Sequence, residues 1–308
     1  MILKYMEKII IIGAGPAGIS AALYAARANM NPLVINNGIG ALEKAEKIEN
    51  YYGMEHPVSG KELFETGLAQ AKALGVRILE AQVLGIGGFD TFTVKTTAGD
   101  FDTISVILAT GSKRKAPAIP GIKEFEGRGV SYCAICDAFF YRGKDVAVLG
   151  NGDFAMHEAK ELANTASTVT IYTNGEEPEF TLEGNISVNT MKIQSVEGDE
   201  LVSGIRLAPD MQAQETDSDT EKAVGEFCHA DGLFIAMGTA GSTEIARQMG
   251  AELTEKGNIL VNENMETTIP GLYAAGDCTG GLLQVAKAVY DGAQAGINAG
   301  KYVRSLNK

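Results

Sequence analysis

The chain has 308 residues, 45% hydrophobic and 21% charged, an ordinary composition for a globular protein with room for two cores. A formal net charge of −13 argues against nonspecific nucleic-acid binding, because phosphate would be repelled, but leaves room for a protein that docks on a local basic patch. No apolar run reaches membrane-spanning length, Met1 to Lys8 lacks the apolar core and cleavage site of a signal peptide, and four cysteines are too few for a structural disulfide framework. A cytoplasmic location is therefore expected.

In chain order, the first signal is a strand at Ile9-Ile10-Ile11-Ile12 that runs into Gly13-Ala14-Gly15-Pro16-Ala17-Gly18. A helical stretch continues through Ala28, and a second strand is expected from Pro32 to Asn36. This is the G-x-G-x-x-G fingerprint in its required strand-to-helix setting. Gly13 permits the sharp turn, Gly15 lets pyrophosphate approach the backbone, and Gly18 lets helix pack on sheet. The helix start offers unpaired N–H groups to the phosphates. An acid often ends the second strand and binds the adenosine ribose; here that position is Asn36.

Next comes Cys133-Ala134-Ile135-Cys136-Asp137. Two cysteines at this spacing can close a redox disulfide, and a helix N-terminus there would favour the exchanging thiolate. Asp137 is placed to supply or accept the proton as sulfur changes charge. The alternatives are half of a zinc site, for which Cys228, Cys278 and the histidines show no second ligand spacing, or a chance pair of buried cysteines. Cys228, at a strand edge, and Cys278 read as packing or incidental thiols.

The first motif then repeats. Val146 to Leu149 leads into Gly150-Asn151-Gly152-Asp153-Phe154-Ala155, a helix to about Ala166 and a strand from Thr168 to Thr173. For NADPH, arginines are expected after that strand to neutralise the 2′-phosphate. The chain instead has Thr173-Asn174-Gly175-Glu176-Glu177-Pro178-Glu179, whose carboxylates would repel it. Two readings remain: Glu176 binds the 2′-hydroxyl of NADH, or the second fold is a structural remnant. Pro209 to Glu226 is polar and acidic and reads as an exposed loop or hairpin tip. Gly271 to Asp277 then reads as a strand entering a glycine turn, followed by a helix from about Gln284 to Arg304.

These elements predict an α/β protein with two Rossmann-like (three-layer ββα/β) dinucleotide-binding domains, the second inserted in the first. The expected boundaries are 1–116 with 243–308 for a discontinuous FAD-binding domain, and 117–242 for an NAD(P)H-like domain carrying the cysteine pair. The crossings fall near Ala116–Pro120 and Gly238–Ser242.

Over essentially its whole length the chain resembles the low-molecular-weight thioredoxin reductases. The resemblance is carried by the Gly13–Gly18 turn, Ile107-Leu108-Ala109-Thr110-Gly111, Gly127 to Asp137, Phe139-Phe140-Tyr141-Arg142 and Tyr273-Ala274-Ala275-Gly276-Asp277. It implies a homodimeric FAD enzyme that reduces thioredoxin or a thioredoxin-like protein. It implies FAD contacts at Gly13, Gly15, Pro16, Ala17, Gly18, Asn36, Asn50, Ala109, Thr110, Gly111, Gly276, Asp277, Gln284, Val285 and Ala286. Asp277 would hold the ribityl chain, and Gln284 to Ala286 would face the flavin pyrimidine edge. Cys136 would lie next to the flavin, Cys133 would attack the partner disulfide, and Asp137 would be the acid–base residue. Phe139 and Phe140 with Arg128 would help dock thioredoxin. A domain rotation about the two crossings is also implied.

Three departures stand out. The family's His-Arg-Arg stretch is Thr173-Asn174-Gly175. Its Gly-Gly-Gln is Ile39-Gly40-Ala41-Leu42, followed by the charged Glu43 to Lys47, although Ile48 to Gly53 still resembles the flavin-side loop, with Tyr52 where proline is common. Its Arg-Gln pair is Leu283-Gln284. Loss of NADPH residues beside a retained cysteine pair resembles the ferredoxin-dependent flavin thioredoxin reductases. NADPH is therefore not the expected donor, which leaves ferredoxin or NADH. Lys113-Arg114-Lys115 is either a ferredoxin-docking patch or an ordinary solvated loop. The competing readings are a flavin-binding redox sensor or protein-interaction module without sustained turnover, an NADPH-dependent reductase with an atypical nucleotide site, and a disulfide-linked oxidase or peroxidase-coupled protein.

Overall fold

The structure is a computed structural model that describes residues 6–88, 90–111, 117–132, 134–209, 225–238 and 241–306. Cys133, the basic run 113–115 and most of the acidic segment 209–226 lie outside the described residues, as do the side chains of Ile135 and Cys136. The chain forms two compact units, Met1–Arg114 with Ala240–Lys308, and Lys115–Thr239.

The first unit opens with β1 (Glu7–Ile12), α1 (Pro16–Arg27) and β2 (Leu33–Asn36), followed by α2 (Gly60–Ala73), β3 (Arg77–Glu80), β4 (Val83–Gly87), β5 (Phe92–Thr96) and β6 (Gly99–Leu108). The second unit runs through β7 (Val130–Ser131), α3 (Ala134–Asp137), β8 (Asp145–Leu149), α4 (Asp153–Ala163), β9 (Thr168–Tyr172), β10 (Ser187–Asn189), β11 (Ile193–Gly198), β12 (Val202–Leu207), β13 (Phe227–His229) and β14 (Gly232–Ile235). The chain then completes the first unit with α5 (Ser242–Gln248), β15 (Leu272–Ala274) and α6 (Val285–Ser305).

The first sheet has the order β3-β2-β1-β6-β5-β4, with β15 also on β6. The length of β6 makes this possible. Its first half pairs antiparallel with β5, from Gly99 to Thr103, and its last three residues pair parallel with β15. β1 lies in the parallel centre and is apolar on both faces: Ile9, Ile10 and Ile11 have no exposed surface, as expected for a strand covered on both sides. Helices α1 and α6 cross at very close range. A Cβ on Gly292 would fall 2.0 Å from the Ala17 carbonyl oxygen, and one on Gly296 would fall 2.3 Å from that of Ala21. Small residues on both helices are therefore required by the packing itself.

The second unit repeats the plan with a parallel sheet ordered β10-β9-β8-β14-β7, and β11-β12-β13 form a separate antiparallel sheet. Ile122, Val196, Ile205 and Leu233 lie in its core. Both units thus show the expected α/β architecture: a sheet with a parallel centre packed by helices, extended by antiparallel strands in the first unit and packed against the β11-β12-β13 sheet in the second. Predicted element ends shift by one to three residues: the first helix stops at Arg27 rather than Ala28, the second at Ala163 rather than Ala166. No helix among the described residues is long and apolar enough to cross a membrane.

Candidate functional site

The first glycine turn is built by close approach. The Gly13 N–H donates to Ile35 O at 2.9 Å, its φ is +106°, and a Cβ there would meet Ala109 O at 2.4 Å. A Cβ on Gly18 would fall 1.8 Å from Gly13 O. Gly15 differs, because nothing lies within 4 Å of where its Cβ would be. The turn is therefore packed on its protein side and open at Gly15. Pro16 begins α1, where its missing N–H breaks no helical bond. Ala14, Gly15, Pro16, Leu42, Tyr51 and Val285 line part of a cavity of about 260 Å³.

Asn36 ends β2 and is only 4% exposed. Its amide Nδ2 donates to both Glu80 carboxylate oxygens, at 3.1 and 2.9 Å. This fixes the orientation, because a flipped amide would point oxygen at oxygen. Its Oδ1 is then buried with no hydrogen-bond partner among the described residues. Native folds rarely leave such an acceptor unsatisfied.

The other expected contact residues lie in the same unit. Thr110 and Ser242 clasp one another: Thr110 N–H donates to Ser242 Oγ (3.1 Å), Ser242 N–H to Thr110 Oγ1 (2.8 Å), and the hydroxyls stand 2.7 Å apart. The clasp holds the Ala109-Thr110-Gly111 turn against the start of α5. Gly276 has φ +84° and precedes Asp277, whose carboxyl burial pushes upward while Lys287 pulls it down. Lys287 on α6 pairs with the buried Asp291 at 2.7 Å and donates to Gly276 O and Thr279 Oγ1, at 2.9 and 2.7 Å. Asp291 in turn accepts the Gly276 N–H at 3.1 Å. Asn50 Nδ2 donates to Gln284 Oε1 at 3.0 Å, which joins that loop to the start of α6. Ala286 is exposed on the first turn of α6.

In the second unit, Cys136 lies in α3, a single turn that passes directly into a 3-10 turn at Ala138–Tyr141. One turn aligns few peptide dipoles, so a helix dipole supplies less of any thiolate preference than the sequence reading expects. Asp137 Oδ2 accepts the Ser131 hydroxyl at 2.6 Å. Ala134 N–H donates to Glu158 Oε2 at 2.6 Å. Burial pushes the Glu158 carboxyl up to about 7; the Ala134 bond opposes this and Glu161 adds to it. Phe139 and Phe140 meet edge to face, 6.1 Å between centroids, and are 74% and 67% exposed. Arg128 donates to Glu124 O at 2.7 Å and lies over the Phe125 ring. Ser131, Asp137, Phe140, Tyr141 and Asp231 line part of a cavity of about 350 Å³.

The second glycine turn is closed in a different way. Thr173 occupies the position that Asn36 holds in the first copy, and its hydroxyl donates to the Glu176 carbonyl. The Glu179 N–H donates to Asn151 O at 2.7 Å, folding the acidic segment back onto the turn. Glu176, Glu177 and Glu179 are exposed. Lys192 passes so close to Gly175 that a Cβ there would meet its chain at 2.8 Å.

Sequence reasoning missed Glu80, Ser242, Lys287, Lys192 and Glu158. Only the last carried a readable signal. Its neighbours on the helix, Phe154, Ala155 and Leu162, form an apolar face with Glu158 in the middle. Cys228 is half-buried on β13, and Cys278 is fully buried, its thiol pushed up to about 12 by desolvation.

Residues 7–292 match the pyridine nucleotide-disulphide oxidoreductase family. A thioredoxin reductase of Treponema pallidum (strain Nichols) is 37% identical over 313 residues, covering 97% of both chains. One from Aquifex aeolicus (strain VF5) is 35% identical over 315 residues, 97% of this chain and 94% of its own. Among solved structures, an atypical thioredoxin reductase from Desulfovibrio vulgaris Hildenborough aligns at TM-score 0.87 and 39% identity, over 97% of this chain and 99% of its own. A ferredoxin-flavin thioredoxin reductase from Clostridium acetobutylicum aligns at TM-score 0.69 and 31% identity, over 98% of each. The chain therefore belongs to the pyridine nucleotide-disulphide oxidoreductase family, as a thioredoxin reductase-like flavoprotein oxidoreductase.

Proposed function

We propose that this protein is a flavin-dependent disulfide reductase that passes electrons through Cys133 and Cys136 to thioredoxin or a thioredoxin-like protein, and that its donor is not NADPH. One observation carries the donor assignment: the acidic segment Glu176 to Glu179 is folded onto the second glycine turn, on the side where the 2′-phosphate of NADPH would need to lie. An anionic 2′-phosphate there would meet carboxylates, and Lys192 is the nearby cation. Reduced ferredoxin or NADH is the donor in this reading.

The first unit fits FAD. Gly15 is open where a pyrophosphate approaches, and the N-terminus of α1 offers N–H groups to it. The orphaned Asn36 Oδ1 is an acceptor for a ribose hydroxyl. Asp277 is the candidate for the ribityl hydroxyls, staked by the Lys287–Asp291 pair through Gly276. When bound, FAD supplies the electron pair that cleaves the disulfide.

The chain's own residues handle the protons and the partner. Asp137, held by Ser131, takes or gives the proton as a sulfur changes charge. The exposed Phe139–Phe140 pair, just beyond the cysteine helix, offers apolar area for a docking protein. Arg128 is tied to Glu124 and Phe125, so it stiffens the neighbouring loop as well as adding a positive edge. The working enzyme is a homodimer in this reading.

The test is anaerobic mixing of the flavin-loaded protein with NADPH, NADH or photoreduced ferredoxin, following flavin bleaching and then thioredoxin reduction. Slow bleaching by NADPH, sustained turnover with another donor, and a Cys136→Ser variant that keeps flavin but not turnover are expected. Fast bleaching by NADPH would overturn the donor assignment, and turnover by Cys136→Ser the route through sulfur.

A further inference from the structure

Glu158 takes no part in the chemistry above, yet it holds the peptide that joins the first cysteine to the redox helix. It lies on the face of α4 that buries Phe154, Ala155 and Leu162, and only 1% of it is exposed. The nitrogen bound to its Oε2 at 2.6 Å is the amide of the Cys133–Ala134 peptide bond. That nitrogen is two bonds from the α-carbon of Cys133. Its other oxygen, Oε1, is buried with no hydrogen-bond partner among the described residues. A glutamine would accept the same N–H without the desolvation cost of an ionisable group. Packing alone therefore does not account for a carboxyl here.

We propose that Glu158 is a positioning residue whose proton sets the thiolate affinity of the Cys133–Cys136 pair. The inference rests on the reading of that pair as the redox pair. Neutral Glu158 holds the Cys133–Ala134 peptide without opposing a thiolate; ionised Glu158 opposes it. The balance is as follows. Two electrons break the S–S bond, one sulfur takes a proton, and the other stays a thiolate. The added negative charge is matched by a second proton, taken from solvent onto Glu158. Burial places the carboxyl near 7, between its two states at neutral pH. Helix α4 packs on α3, β8 and β9. The titratable groups those elements carry are Cys136 and Asp137 on α3, Asp145 on β8 and Tyr172 on β9. Asp153, His157, Lys160 and Glu161 lie on α4 itself. Of these, Glu161 adds repulsion that favours the neutral form of Glu158.

The experiment uses the full-length, flavin-loaded protein reduced by dithiothreitol. It is alkylated with iodoacetamide across neutral pH, and the rates at Cys133 and Cys136 are separated by peptide mass spectrometry. As a general scale, two unit charges roughly 10 Å apart at an effective dielectric of about 20 interact strongly enough to displace a pKa by about one. Wild type is expected to show a bend in its rate profile near pH 7 in addition to that of the thiol. In Glu158→Gln that bend disappears and the faster cysteine reacts about tenfold faster just above neutrality. Superimposable profiles would overturn the proposal. A second measurement needs no variant. In wild type carrying carbon-13-labelled glutamate, the reduced-minus-oxidised infrared spectrum should gain a protonated carboxyl band at the labelled position, which separates Glu158 from Asp137. Absence of that band overturns the proposal equally. Both readings follow chemical reduction of the sulfurs, so failure of thioredoxin turnover would be a separate result.

Discussion

The two glycine turns share a sequence pattern and the bond from their first N–H to the following strand, Gly13 to Ile35 O and Gly150 to Tyr172 O, and they differ where a ligand would be judged. In both, the third position of the motif packs on the first, and the middle glycine is open: nothing lies within 4 Å of a Cβ on Gly15 or Gly152. The difference lies at the end of the following strand. Asn36 is buried and leaves an acceptor unsatisfied, while the equivalent Thr173 satisfies its own hydroxyl on Glu176 and the segment beyond closes over Asn151. An unsatisfied buried acceptor costs free energy that a ligand can recover; a satisfied one offers nothing. A repeated fingerprint thus specifies a repeated turn, and the strand end decides what the turn is for.

Placing the same side chain at both open glycines tests this contrast most severely. Gly15 has φ −68° and ψ −177°, and Gly152 has φ −112° and ψ −178°, so valine is accommodated by the backbone at either site. Gly15→Val should fold but lose flavin affinity by about a thousandfold, roughly 4 kcal/mol, because the branched side chain occupies the approach to the pyrophosphate. Gly152→Val should leave flavin content and turnover with reduced ferredoxin within about twofold. Flavin titration with spectroscopic readout measures both. Equal losses in the two variants would mean that the turns do not differ in use.

The helices behind the two turns sharpen the comparison. At one position α1 has Ala21, fully buried against Gly296, where α4 has Glu158. A carboxyl whose folded pKa of about 7 exceeds its ordinary 4.5 keeps its proton in the folded chain after the unfolded chain has lost it. Its contribution is full below about pH 4.5 and is lost as pH rises through 7, a decline of about 3 kcal/mol. Urea unfolding at several pH values should show that decline in wild type and not in Glu158→Gln. A variant that retains the full slope would place its origin elsewhere.

Much of this was legible in the sequence, for reasons that can be named. Ile9 to Ile12 and Val146 to Leu149 are short apolar runs ending in glycine, and only a strand entering a tight turn satisfies both features. The clasp of Thr110 with Ser242, the bond of Asn36 to Glu80, and the approach of Lys192 to Gly175 were not legible, because each joins residues whose separation in sequence carries no period. Glu158 lies between these cases. Helical spacing puts it on the apolar face, but a charged residue amid an apolar stripe is read as exposed by habit.

The smallest expected effect bears on the second turn alone. Glu176 is exposed beside Gly175, so its charge acts through solvent, and exposed pairs contribute about 0.2–1 kcal/mol. Glu176→Arg replaces repulsion of a 2′-phosphate with attraction beside Lys192. It should raise the rate of flavin bleaching by NADPH by about two- to tenfold at low ionic strength, with the gain shrinking as salt is added. Thioredoxin reduction with reduced ferredoxin should not change, since that route does not use the turn. If bleaching by NADPH stays unmoved at low salt, repulsion is not the barrier. The remaining obstacle is then steric: the Glu179–Asn151 bond that closes the segment over the turn. Shortening the loop across Glu177 and Pro178 would then be expected to succeed where the charge reversal failed.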